Sequence, residues 1–171
     1  MPKNASATEP VVLELPALTV ATVTSVGDPN VVAARVFPAL YGAVYGLKFA
    51  LKKQGVAMTV GTLRARWPDA HLVPKDQWTA HWAIPIPEGT TALVQKDPAL
   101  PVTVQAWEYG TVAQLLHLGP YTEEGPTVAR LHAFIEASGC EIAGPHEEEY
   151  LTRPDAKAPK TIIRYQVRPR A

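Results

Sequence analysis

Two distant stretches of this chain spell nearly the same strand, and that repetition limits what it can fold into. Thr19-Val20-Ala21-Thr22-Val23-Thr24-Ser25-Val26-Gly27 and Thr111-Val112-Ala113-Gln114-Leu115-Leu116-His117-Leu118-Gly119 share Thr, Val, Ala and Gly at one offset, with apolar residues matching between them. Each copy runs into a proline-containing turn, then a helix-forming stretch, then two strand-forming stretches. A repeated order of elements marks a repeated structural unit, here βαββ. One such module, with a single helix, is too small to bury both faces of its sheet. Two must pair, and the seam between paired modules is where pockets form. The expected fold class is therefore α+β: two pseudo-repeated βαββ modules with antiparallel sheet and a ligand cleft at their junction. The modules are expected at approximately 11–100 and 101–168 of a single domain 11–171, behind a flexible N-terminus, 1–10.

The elements are set by local pattern. Val11 to Gly27 reads as a strand or a bent strand pair, from its β-branched content and alternation. Gly27-Asp28-Pro29-Asn30 is a turn whose Asp28 or Asn30 can cap a helix. From Val31 to Gln54, Val36, Leu40, Val44, Leu47 and Leu51 recur at three and four residues, a helical stripe. Pro38 predicts that this helix starts near Phe37 or kinks there. Strands are expected over Ala57 to Trp67, Trp78 to Pro85, Pro101 to Trp107 and Thr111 to Leu118. A second helix lies between Pro120 and Gly139, with Val128, Leu131 and Ile135 as its stripe. Glu147 to Thr152 and Lys160 to Val167 close the chain as strands.

Composition excludes several classes. Sixteen basic and sixteen acidic side chains cancel, which leaves no electrostatic footprint for direct nucleic-acid binding. No apolar run approaches the roughly 18 residues of a membrane span, and Met1 to Pro10 has no hydrophobic signal core, so a cytoplasmic location is expected. The single Cys140 excludes an internal disulfide and any multi-cysteine metal site. The five histidines form no close ligand pair on one element, and there is no Walker sequence, nucleophile elbow or HExxH motif. Neither a metal nor a cofactor is expected. The expected partners are small hydrophobic molecules, with room for a protein partner or a homodimer.

The aromatic residues carry more information. Four Trp and six Tyr outnumber three Phe, and Trp and Tyr combine an apolar body with a polar handle suited to flat ligands. Tyr41 and Tyr45, four apart, share one side of the first helix. Trp67, Trp82 and Trp107 lie near strand ends. His117, inside an apolar strand, reads as a satisfied core or pocket-edge residue. In Glu147-Glu148-Glu149-Tyr150 alternation places Glu148 and Tyr150 on one face. Glu147 and Glu149 are expected on a solvated face. A buried Glu148 would need donors or a cation to stay ionised, and a cationic ligand can supply one. These considerations nominate Tyr41, Tyr45, Trp67, Trp82, Trp107, His117, Glu148 and Tyr150 as ligand-binding residues.

Several motifs in order resemble one known family. Gly119-Pro120-Tyr121, the helix ending Phe134-Ile135, and Gly144-Pro145-His146-Glu147-Glu148-Glu149-Tyr150-Leu151 are similar to the C-terminal half of GyrI-like effector-binding domains. Gly27-Asp28-Pro29-Asn30, Ala39-Leu40-Tyr41-Gly42, Tyr45-Gly46-Leu47-Lys48-Phe49 and Lys160-Thr161-Ile162-Ile163-Arg164 resemble a stand-alone branch that includes cyclopropanoid hydrolases. The resemblance covers about Val11 to Val167. It implies a cleft that binds hydrophobic, often cationic molecules through aromatics and a buried glutamate, matched here by Glu148. It also implies two alternatives: hydrolysis of cyclopropane-containing alkylating natural products, with Glu148 as the catalytic group, or a protein-interaction role such as gyrase inhibition. The chain departs from that branch at Leu63-Arg64-Ala65-Arg66-Trp67, where a glutamate and a second tryptophan are expected; Arg64 and Arg66 would favour an anionic or zwitterionic ligand.

Overall fold

The computed structural model describes residues 8–153 and 155–171; residues 1–7, most of the expected flexible N-terminus, lie outside the described residues. The strands are β1 (Val11–Leu15), β2 (Leu18–Val26), β3 (Arg64–Trp67), β4 (Thr79–Pro85), β5 (Thr103–Trp107), β6 (Gly110–Leu118), β7 (Cys140–Ile142), β8 (His146–Tyr150) and β9 (Lys160–Pro169), and the helices are α1 (Pro29–Lys53) and α2 (Gly125–Ala137). The fold is α+β and the strand pairs are antiparallel, as the repeat predicts.

The chain forms two compact units. One is Ala17–Glu108; the other joins the segment up to Pro16 to Tyr109–Ala171. A division near residue 100 would keep β1 with β2 and β5 with β6. The units instead exchange these leading strands: β5 pairs with β2 in the first, and β1 pairs with β6 in the second. The registers correspond. Thr103 faces Thr22 as Val11 faces Gln114, and Trp82 faces Val23 as Ile163 faces Leu115.

In the Ala17–Glu108 unit the strand order is β3-β4-β2-β5. Asp28 caps α1, its side chain accepting from the Asn30 N–H, and Pro29 occupies the first turn, where a missing N–H costs nothing. Pro38 neither starts nor splits the helix, which runs unbroken from Pro29 to Lys53. The helix ends on Gly55 at a φ of 78°, with Val56 N–H donating to Leu51 O and Gly55 N–H to Lys52 O. That double closure needs a residue at ease in the left-handed region. The strand expected over Ala57 to Trp67 forms only at Arg64–Trp67.

In the other unit the order is β8-β9-β6-β1, with β7 on the far end of β9. α2 lays Leu131 and Ile135 on Ala113, Leu115, Ile163 and Tyr165. Each of these two aliphatic side chains contributes about 1.5–3 kcal/mol on burial. The segment ahead of β1 is tied to α2, because Arg130 donates to Thr8 O at 2.9 Å and to Glu9 Oε2 at 2.6 Å.

Candidate functional site

Strand alternation divides the β8 side chains into two sets, and neither is exposed: Glu147 and Glu148 are buried, and His146, Glu149 and Tyr150 are half-buried. Glu147 and Glu149, expected in solvent, point to Arg164 on β9. Arg164 Nη1 donates to Glu147 Oε2 at 2.7 Å, Nη2 to Glu149 Oε1 at 3.0 Å and Nε to Gln114 Oε1 at 2.9 Å. Glu147 is only 3% exposed. The correction has a simple cause: β8–β9 register sets Arg164 directly opposite Glu147, and a buried guanidinium demands carboxylates around its fork.

His146, Glu148 and Tyr150 occupy the opposite face of β8, the face that α2 covers. Glu148 is 8% exposed. Its Oε2 accepts from the Tyr150 hydroxyl at 2.7 Å, and Oε1 lies 3.1 Å from His146 Nε2. The carboxylate can only accept, so in the neutral imidazole Nε2 carries the proton. His146 Nδ1 then accepts from the Tyr165 hydroxyl at 2.6 Å. The result is a chain of hydrogen bonds, Tyr165 to His146 to Glu148, closed from the other side by Tyr150. Around it stand Tyr121, edge-on to Tyr150 at 5.7 Å, and His132 of α2, edge-on to Tyr165 at 5.0 Å.

Glu124, at the start of α2, completes the cluster. Ligand-type atoms of Glu124, His146 and Glu148 lie within 4.8 Å of one another. The Glu124 Oε2 atom is shielded from solvent and accepts no hydrogen bond, a state an ionised carboxylate would not tolerate. Burial pushes the Glu124 carboxyl up to about 10, reinforced by its hydrogen bond to Glu148 and the charge of Glu148. Burial also acts to raise Glu148, but hydrogen bonds from His146 and Glu124, the charge of His146 when it is protonated, and the hydrogen bond from Tyr150 outweigh it and hold Glu148 low. The opposed shifts favour sharing of one proton by the pair, with Glu124 as its preferred holder and Glu148 as the preferred anion. Burial and then the nearby Glu148 charge raise Tyr121, Tyr150 and Tyr165, so all three remain neutral donors. Glu124, His146 and Glu148 are also the one set among the described residues that could offer three atoms to a metal ion. For that, the imidazole proton would sit on Nδ1 and be donated to the Tyr165 hydroxyl, leaving the Nε2 lone pair free.

The aromatic candidates other than Tyr150 lie in the Ala17–Glu108 unit. Phe37, Tyr41, Tyr45 and Phe49 form a row of successive ring contacts, 6.1–6.4 Å apart, along one side of α1. Phe37 meets Trp82 edge-on at 5.3 Å, Trp82 meets Trp67 at 5.3 Å, and Trp67 meets Trp78 at 5.9 Å. Tyr45 and Phe49 are exposed while Trp67 and Trp82 are buried. Trp107 is apart from this group. Register sets it opposite Leu18, on the sheet face that carries Arg66 rather than the face of Trp82. The Arg66 guanidinium sits 4.2 Å over its ring and donates to Glu108 O. His117 is buried in the second unit, with Nδ1 2.8 Å from Thr127 Oγ1 and Nε2 3.0 Å from Pro120 O. Both its nitrogens are committed. Sequence reasoning missed Glu124 and His146. The signal for His146 was its place two residues before Glu148, on the same strand face.

Among the described residues no helix is long and apolar enough to cross a membrane. A family model for the GyrI-like small molecule binding domain matches residues 8–168. An uncharacterized conserved protein from Listeria innocua has the same fold (24% identity, TM-score 0.82, covering 96% of this chain and 94% of that one). So does a hydrolase from Listeria innocua (24% identity, TM-score 0.80, 96% and 94%). The C-terminal domain of EcmrR is similar at 15% identity, with a TM-score of 0.67 over 95% of this chain and 98% of that one. No curated protein matches the chain.

Proposed function

Because this chain belongs to the family of GyrI-like small-molecule-binding domains, we propose that it binds small hydrophobic aromatic cations, with Glu148 as the counter-charge. The observation that carries this reading is the carboxyl pair. Glu148 is buried, bonded to the Tyr150 hydroxyl and beside His146 and Glu124; its hydrogen bonds favour the ionised form, while burial favours the neutral form of Glu124. A buried anion among neutral aromatic rings attracts a cation that can also bury apolar surface. Burying about 200 Å² of ligand apolar surface at roughly 25 cal/mol/Å² offers about 5 kcal/mol before binding costs. In the other unit, half-buried Tyr41 leads to exposed Tyr45 and Phe49 in an aromatic row. Fluorescence titration with ethidium tests the reading, against neutral phenanthridine as a matched control. Loss of a charge-assisted contact in Glu148→Gln should weaken ethidium about ten- to a hundredfold and leave phenanthridine nearly unchanged. Equal weakening of both probes would remove Glu148 as the counter-charge.

A second reading rests on the same pair. Two carboxyl groups whose affinities for a proton are driven apart are the arrangement of an acid and a base. Glu148 would take a proton from an attacking water while Glu124 gives one to the oxygen that gains the electron pair of the broken bond. Opening of a cyclopropane conjugated to a carbonyl is such a reaction. Turnover of a substrate of that class, lost in both Glu148→Gln and Glu124→Gln, would establish this second reading.

A further inference from the structure

Equivalent registers allow the two units to be compared position by position. Ala65 faces Trp82 across β3–β4 as Glu148 faces Ile163 across β8–β9, and Arg64 faces Ala83 as Glu147 faces Arg164. Trp67, two residues after Ala65, therefore takes the place of Tyr150, two residues after Glu148. In the C-terminal unit the Tyr150 hydroxyl donates to Glu148. In the Ala17–Glu108 unit the acceptor's position belongs to Ala65, which is fully buried and has nothing to accept with.

The consequence is visible at Trp67. Its side chain is on the α1-covered face and only 7% exposed, yet its Nε1–H has no hydrogen-bond partner among the described residues. The neighbouring indoles are both satisfied: Trp78 Nε1 donates to Val73 O at 3.1 Å and Trp82 Nε1 to Ser25 Oγ at 2.9 Å. Buried donors are almost always paired, because an unpaired one carries its desolvation cost uncompensated. A water in this place would need two to four polar partners. The neighbours of Trp67 in the ring contacts are the faces and edges of Trp78 and Trp82, with two donors already committed. An aromatic molecule that stacks on these rings and carries its own acceptor would pair this donor.

We propose that Trp67 is a specificity-determining hydrogen-bond donor in the Ala17–Glu108 unit, selecting flat neutral aromatic ligands that carry a ring nitrogen or carbonyl acceptor. This contact asks for an acceptor on the ligand and not for a charge, which distinguishes it from the Glu148 counter-charge. The C-terminal unit brings its own acceptor and prefers a cation; the other unit brings a donor and prefers an acceptor.

Quinoline and naphthalene test the proposal at pH 7.5, where both are neutral and nearly isosteric and only quinoline has an acceptor. The three indole N–H resonances involved are followed by two-dimensional ¹H–¹⁵N NMR of the whole chain. The Trp67 Nε1–H resonance should move downfield with quinoline and much less with naphthalene, while those of Trp78 and Trp82 stay near their free positions. One neutral hydrogen bond should make quinoline bind about five- to tenfold more tightly than naphthalene, an advantage that disappears in Trp67→Phe. Neither probe is charged, so this ratio is read apart from the ethidium titration, and a failure here is distinguishable from a failure of the cation reading. Equal affinities for the two probes, an unmoved Trp67 resonance, or a quinoline advantage that survives Trp67→Phe would each overturn the proposal. So would a water cross-peak to the Trp67 Nε1–H that persists when quinoline is bound.

Discussion

Replacing Glu124 with glutamine should make this protein more stable, by an amount that grows with pH. In the folded chain Glu124 holds its proton up to about pH 10. In the unfolded chain it loses that proton near the ordinary glutamate value of 4.5. Between those limits the folded state binds one more proton than the unfolded state, so stability falls by about 1.4 kcal/mol per pH unit. At pH 7, 2.5 units above 4.5, the accumulated cost is roughly 3 kcal/mol. Glutamine has the same shape, is always neutral, and can donate an amide N–H to Glu148 in place of the acid O–H, so the variant escapes this slope. Glu148, held at about 2, stabilises the fold above 4.5 and loses that contribution only as pH falls toward 2; it is constant across the range measured. Urea denaturation of both proteins from pH 5 to pH 8.5 gives the difference directly. It should be small near pH 5 and widen steadily toward pH 8.5. A difference that does not change with pH, or a variant less stable than the parent at pH 8, would show that Glu124 is not the protonated member of the pair.

Arg164→Leu removes the guanidinium from between Glu147 and Glu149 and should cost about 3–5 kcal/mol in urea denaturation; a loss under about 1 kcal/mol would deny the buried triad its structural weight. Glu147→Gln should weaken the fold through the same triad yet leave ethidium affinity within about twofold, since its side chain is on the other face of β8 from Glu148; parallel titration of the Glu147 and Glu148 variants checks this. Arg130→Ala breaks the exposed contact with Glu9 and should change stability by less than about 1 kcal/mol, measured the same way.

The parts of the fold that were legible in the sequence are those set by neighbours along the chain. The helical stripe from Val36 to Leu51, the left-handed stop at Gly55 and the matched strands of the repeat depend on residues a few positions apart. Pro38 misled because tertiary packing holds a helix through a proline that would end it in isolation. Ala57 to Leu63 has strand-like composition and is not strand, since composition does not supply a pairing partner. The site was half legible for the same reason. Alternation separated Glu148 and Tyr150 from Glu147 and Glu149. What became of Glu147 and Glu149 depended on Arg164, a cation embedded in the apolar run Ile162-Ile163-Arg164-Tyr165. A charge in such a run signals that carboxylates must lie across from it. Glu124 carried no comparable signal, because its partnership with Glu148 exists only once α2 has docked on the sheet.

The exchange of leading strands also sets a timetable for the chain as it leaves the ribosome. β1 is made early, but its partner is β6, where Val11 meets Gln114 and Leu15 meets Gly110. Synthesis at about 5–20 residues per second keeps β1 waiting for several seconds, while β2, α1, β3, β4 and β5 can already assemble from Ala17 to Glu108. During that interval Val11, Leu13 and Leu15 form an unpaired strand on a growing polypeptide, open to chaperones or to the β6 of a neighbouring nascent chain.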